Sequence, residues 1–137
     1  MKNRINILQK GYRFILVGAF STTINYSIFS LLYKVMSIYY IFSSVVGYLT
    51  GLSVGYLLNK NWTYIAQIDK SKSYIYSYMF VYFISLLLSQ WLLFSLVQFL
   101  GINPLYANVA AIGLSTLLNF FGTNFFVFRK AETSYAK

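Results

Sequence analysis

The chain has 137 residues, of which 58% are apolar, 21% aromatic and only 9% charged. Soluble globular domains carry about 25% charged residues, so this composition excludes a water-soluble enzyme or binding module and its length allows one domain. The net charge of +9 would suit a nucleic-acid ligand, but its distribution along the chain points to a membrane surface and to no nucleic acid.

Four apolar runs follow one another, and the predicted helices are 14–36, 41–60, 75–100 and 105–128. Each reaches or approaches the ~20 residues needed to cross ~30 Å of hydrocarbon at ~1.5 Å per residue. The first run has a basic start, as a signal peptide would, but no small-x-small cleavage site ends it, so it is read as a retained span. The predicted class is an all-α membrane protein of four transmembrane helices arranged as two tandem helical hairpins.

Orientation follows from the cations. Lys2, Arg4, Lys10 and Arg13 precede the first span, Lys60, Lys70 and Lys72 lie around the loop 61–74, and Arg129, Lys130 and Lys137 follow the fourth span, with the tail running 129–137. Lys34 alone falls on the other side. Ten against one is the positive-inside bias, which predicts that both termini and the central loop are cytoplasmic and that the basic face meets anionic lipid headgroups.

A shift of 64 residues lays Trp62-Thr63-Tyr64 over Phe126-Val127-Phe128. The match runs backward through Ser43, Gly47, Gly51, Gly55 and Asn59 against Ala107, Ala111, Ser115, Asn119 and Thr123. Small residues four apart form one ridge on a helix and let another backbone approach closely. Gly47, Gly51, Gly55, Ala111 and Ser115 are therefore the candidate packing positions, with the second and fourth helices as the natural inner pair. Membrane helices are rich in small residues, so a ridge alone could arise from composition. The shared aromatic ending favours a duplicated hairpin, two copies in one orientation.

Catalysis finds no support. The chain has no His and no Cys, and its two acids are Asp69 and Glu132. Neither lies in a span, and two carboxylates so far apart form neither a metal site nor an acid/base pair. No catalytic residue, metal or cofactor is expected. A proton-coupled exporter is disfavoured on the same ground, because proton relays in membranes use buried Asp, Glu or His.

The polar residues within the spans are neutral, among them Thr22, Asn25, Gln90 and Asn119. Asn25 and Asn119 fall about 17 Å and about 14 Å from their cytoplasmic edges, near mid-membrane. Two roles are open to them: hydrogen bonds between helices, worth about 0.6 kcal/mol on average, or a polar lining for hydroxyl groups, which amides serve as both donors and acceptors. Arg13, Lys60 and Arg129 stand at span ends. They either set topology or reach lipid phosphates.

Three motifs then converge. Phe14-x-x-Val17-Gly18-x-x-x-Thr22-x-x-Asn25, Tyr56-Leu57-Leu58-Asn59-Lys60-Asn61-Trp62-Thr63-Tyr64, and Asn119-Phe120-Phe121-Gly122 running to Phe126-Val127-Phe128-Arg129 together resemble the GtrA-like family of small four-helix membrane proteins. The resemblance covers residues 10 to 130. It departs from the family at Asn25, where relatives often carry an acid; at Lys60-Asn61, where a basic pair is common; and at Gly55, where relatives often carry Asn.

The resemblance implies translocation of a polyprenyl-phosphate-linked sugar across a bacterial cytoplasmic membrane, for glycosylation of envelope polysaccharide or teichoic acid. Arg13, Lys60 and Arg129 would then take the phosphate, and Thr22, Asn25, Gln90 and Asn119 the sugar. A homodimer or higher homo-oligomer is expected, because four helices make a thin wall around such a substrate. The alternative is a non-transporting subunit that stabilises or positions a polyprenyl-phosphate glycosyltransferase.

Overall fold

The computed structural model describes residues 2–58 and 72–122. Helix α1 spans Lys2–Ser30 and closes in a π turn, Leu31–Val35. Helices α2, α3 and α4 span Tyr40–Leu58, Lys72–Gln98 and Pro104–Gly122. All four are long and apolar enough to cross a membrane, over Ile15–Val35, Tyr40–Leu58, Tyr76–Gln98 and Pro104–Gly122. No strand occurs among the described residues. The chain is thus an all-α, multi-pass membrane protein.

It divides into two compact units, Met1–Asp69 and Lys70–Lys137. In the first, α1 packs against α2; in the second, α3 packs against α4. These are the two tandem hairpins. Helix α1 begins at Lys2, whereas its apolar, membrane-length segment begins at Ile15. Apolarity marks where hydrocarbon begins, whereas a helix already nucleated in the apolar span propagates into flanking residues at little cost. The third helix ends at Gln98, with Phe99 and Leu100 in the turn. Residues 123–128 of the fourth expected helix lie outside the described residues.

The 64-residue repeat holds in three dimensions. Helices α2 and α4 are each 19 residues long, and Tyr40 and Leu58 correspond at that shift to Pro104 and Gly122. Ser43, Ser44, Gly47, Tyr48 and Gly51 are buried in α2, and so are their counterparts Ala107, Asn108, Ala111, Ile112 and Ser115 in α4. The match extends to the first helix of each hairpin, which the sequence comparison had not aligned. Val17, Asn25 and Phe29 are buried in α1, and Val81, Ser89 and Leu93 in α3.

The turns repeat as well. The amide of Ile38 donates to the carbonyl of Leu32 and that of Ile102 to Leu96, the long-range bond that closes a helix through a left-handed residue. That residue is Ser37 with φ 55° in the first hairpin and Gly101 with φ 63° in the second. Only the second copy has the side chain suited to the conformation. The second copy also caps better: the Leu105 amide donates to Oδ1 of Asn103 at 2.9 Å, with Pro104 in the first helical position, where its missing N–H costs nothing. The corresponding residue in the first hairpin is Tyr39, which has no such acceptor. The first hairpin differs further in its π turn, where the Met36 amide reaches back to Leu31; in the second, Phe99 reaches back to Ser95.

Outward faces carry large apolar side chains, among them Phe20, Phe42, Phe83, Trp91 and Leu117, as lipid contact requires.

Relieving the left-handed strain at Ser37 while creating it at Gly101 gives opposite effects. Ser37→Gly is expected to raise stability and Gly101→Ala to lower it, each by about 1 kcal/mol, read as unfolding midpoints in mixed micelles. Equal shifts of the same sign would contradict the shared turn geometry.

Candidate functional site: the seam between α1 and α2

The glycine ridge of α2 faces α1 along one line. A Cβ on Gly47 would lie 2.6 Å from the backbone oxygen of Asn25 and 2.8 Å from its Oδ1. One on Gly51 would lie 2.7 Å from the Ser21 backbone oxygen and 2.9 Å from the Asn25 Cβ. One on Gly55 would lie 2.8 Å from the Ser21 Oγ. The expectation that these glycines draw the second and fourth helices together is therefore corrected, because the atoms against them belong to α1. With no side chain in the way, carbonyl oxygens of α1 approach the Cα atoms of α2. Such Cα–H···O contacts contribute about 0.5–1 kcal/mol each. They matter in lipid, where apolar burial gives helices little reason to associate.

Four hydroxyls along this seam and its repeat are satisfied locally. Ser21 Oγ donates to the Val17 carbonyl at 2.7 Å, Ser43 Oγ to Tyr39 at 3.1 Å, Ser89 Oγ to Leu86 at 2.9 Å and Ser115 Oγ to Ile112 at 2.9 Å. A serine can do this because it carries a donor and helix carbonyls can each accept a second bond. An amide oxygen cannot, since it needs a donor and every interior N–H is already used by the helix. Asn25 shows the consequence. It is 7% exposed, and its Oδ1 is buried with no hydrogen-bond partner. Leaving such a group unmatched costs about 1–3 kcal/mol.

The other predicted site residues are distributed as follows. Thr22 is half-buried in the same hairpin as Asn25; Gln90 and Asn119 are half-buried in the second hairpin. Of the predicted sugar-lining set, only Asn25 is fully buried. Arg13 is half-buried, within α1 and two residues before the apolar span opens at Ile15. Lys60 and Arg129 lie outside the described residues, as do the aromatic endings 59–64 and 123–128. Of the predicted packing residues, Ala111 and Ser115 are buried in α4, and Gly122 of that helix lies against the side chain of Val81.

Sequence reading missed several buried polar residues, notably Ser44, Ser85, Ser89 and Asn108. Asn108 is the counterpart of Ser44, and Ser89 of Asn25. Each hairpin thus buries one amide and one hydroxyl at these two positions, on opposite helices: the amide is on the first helix in one copy and on the second helix in the other. The signal was available, because Ser44 and Asn108 each follow a ridge position by one residue in the repeat.

At the far end of the first hairpin, rings gather. Phe29 stacks on Tyr33 with centroids 5.7 Å apart, and Tyr39 packs on Tyr40 at 4.7 Å. The Tyr39 phenol titrates above its ordinary value, chiefly because of its hydrogen bond with Tyr40. No cluster of metal-ligating side chains occurs among the described residues.

The family model described as "GtrA/DPMS, transmembrane domain" matches residues 13–128. No curated protein and no solved structure matches the chain. The match spans nearly the whole length, and the chain belongs to the GtrA/DPMS transmembrane-domain family, whose members are membrane proteins related to polyprenyl-phosphate sugars.

The seam makes glycine substitutions unequal. Gly47→Ala and Gly51→Ala are expected to cost about 1–3 kcal/mol each by forcing α1 away. Gly18→Ala and Gly113→Ala, where a Cβ meets nothing within 4 Å, are expected to gain about 0.5–1 kcal/mol from helix propensity. Denaturant titration in micelles distinguishes them, and four equal effects would remove the close seam.

Proposed function

We propose that the chain translocates a polyprenyl-phosphate-linked sugar across a bacterial cytoplasmic membrane, without catalysis of its own. The observation that carries the proposal is the Asn25 amide oxygen, held in the middle of a span and matched by nothing in its own hairpin. Family membership supplies the substrate class. The barrier to such a lipid has two parts: an anionic phosphate is costly in hydrocarbon, and the sugar loses the water that its hydroxyls bind. Neutral amides address the second part. Thr22, Asn25, Gln90 and Asn119 replace water around the sugar, while the isoprenoid tail stays in lipid against the aromatic outer faces.

Arg13 addresses the first part. It stands at the edge of the apolar segment of α1, where its long stem can reach the headgroup region, and Lys60 and Arg129 complete the phosphate contact on the cytoplasmic side. With Lys34, at the end of the first span, the only charged residue inside a span among the described residues, transport runs downhill, pulled by consumption of the sugar on the outer side. A homodimer or larger homo-oligomer encloses a substrate too large for four helices.

The second reading is a subunit that positions a polyprenyl-phosphate glycosyltransferase. It is favoured by the family description itself, which is of a transmembrane domain, a module able to serve a catalytic partner.

Purified protein in liposomes with labelled undecaprenyl-phosphate glucose is expected to speed its exchange between leaflets, followed by accessibility to a membrane-impermeant reagent. Asn25→Leu combined with Asn119→Leu is expected to return exchange to the protein-free rate while the protein remains folded in the vesicle. No exchange by folded wild-type protein would remove the transport reading and leave the glycosyltransferase subunit.

A further inference from the structure

The glycine ridge and the unmatched Asn25 oxygen lie on the same seam, and together they say more than either does alone. A ridge of glycine is explained by close packing. An amide oxygen aimed into that packing is not, because a Ser or Ala at the same position would pack as closely without leaving an acceptor unmatched; the repeat places Ser89 there in the second hairpin, hydrogen-bonded to its own backbone. We infer that the α1–α2 seam is a closed binding site for a neutral, hydroxyl-donating headgroup, in which Asn25 Oδ1 accepts a hydroxyl once the two helices part around the ligand. The inference rests on the transport reading for the identity of its ligand, a sugar on a polyprenyl phosphate.

The chemistry of the seam selects this ligand class. The oxygens facing the α2 glycines are the Ser21 and Asn25 carbonyls, Asn25 Oδ1 and the Ser21 hydroxyl, a set dominated by acceptors. Acceptors repel phosphate and welcome hydroxyl donors. The closed seam has no room for a guest, since even a methyl group on Gly47 would overlap Asn25. Separation is eased because the glycines of α2 present no side chain of their own to α1, and α1 ends in a π turn followed by Ser37 in a left-handed conformation, features common where helices adjust. A ligand that supplies the missing donor favours the parted state over the closed one, which is how a minor conformation becomes the dominant one.

The natural absence of cysteine makes the seam open to thiol chemistry. Ser44 is 3% exposed, on α2 one turn before Gly47. In Ser44→Cys protein, reaction with N-ethylmaleimide requires water at the thiol, because the thiolate is the reactive form. Labelling in vesicles is expected to rise at least tenfold with undecaprenyl-phosphate glucose over undecaprenyl phosphate, and the rise is expected to vanish when Asn25→Leu is added. No rise, or a rise that persists without Asn25, overturns the site.

A second variant reads the same motion. The Ser21 Cβ lies 3.4 Å from the Cβ position of Gly55, at the near edge of disulfide spacing. Ser21→Cys with Gly55→Cys is expected to stop leaflet exchange when oxidised and to restore it on reduction; exchange undiminished in fully cross-linked protein overturns the opening. Sugar-dependent labelling without leaflet exchange would keep the site and remove transport, whereas exchange without sugar-dependent labelling would do the reverse.

Discussion

In hydrocarbon a helix has no hydrogen-bond donors to spare. Each interior N–H is committed to the carbonyl four residues back, and no water stands by to replace it. Most of what distinguishes this protein follows from that shortage. A serine on a buried face can be harmless, because it can donate to a carbonyl of its own helix, as Ser21 and Ser115 do. Asparagine is different. Its amide group can donate, but its oxygen must be served from outside the helix, and at Asn25 nothing serves it. The close approach of α1 and α2 over Gly47 and Gly51 seals that oxygen from lipid and solvent alike, so packing and polarity act on the same few atoms.

The repeat shows that this is not a requirement of the hairpin. At the shift of 64 residues, Asn25 becomes Ser89 and the ridge Gly47-Gly51-Gly55 becomes Ala111-Ser115-Asn119. Both copies fold into antiparallel helix pairs with most buried positions in common, the same bond across the turn and a left-handed residue at the same place. The second copy is the better built by local rules: Gly101 for the turn, Asn103 with Pro104 for the helix start, and a serine satisfied at the mid-span position. The first copy violates those rules at Ser37, at Tyr39 and at Asn25. Departures from local consistency that the fold tolerates tend to mark functional positions, and these three lie in the first hairpin.

The fold was legible in the sequence because bilayer thickness and backbone satisfaction leave few options for 137 mostly apolar residues. The four spans, the two hairpins and the repeat ridge all follow from apolar runs and small-residue spacing. Helix ends were less legible where chemistry and secondary structure part company. Lys2 to Arg13 look like a polar leader yet continue α1, and Phe99 with Leu100 look like span yet form the turn. The site was half legible. Asn25 stands out in a run of apolar residues and invites a functional reading from position alone. That it faces Gly47 across a sealed contact was not visible, because a ridge shows which face is small and not which helix meets it. Ser44, Ser89 and Asn108 were hidden for a related reason: hydroxyls and amides on a buried face resemble those on a lipid-facing one until a neighbour is placed.

A neutral lining also fits the energetics of the proposed cargo. A carboxylate in mid-membrane would hold a sugar more firmly, but it would repel the phosphate attached to it and would need a counter-charge or a proton to be tolerated there. An amide at the position of Asn25 avoids both costs. Under the proposed function it offers the sugar an acceptor of moderate strength, replacing part of the hydration lost on leaving water without creating a deep well from which the cargo cannot leave. For transport in either direction across a membrane the useful quantity is a lowered barrier, and a site that binds too well in the middle merely moves the barrier to the exit. The separation of duties along the first hairpin agrees with this: Arg13 lies at the edge of the apolar segment, where charge is tolerated, and only neutral polarity lies deeper, until Lys34 at the far end. Under that arrangement the phosphate need not leave one interface until the sugar has been received within the span.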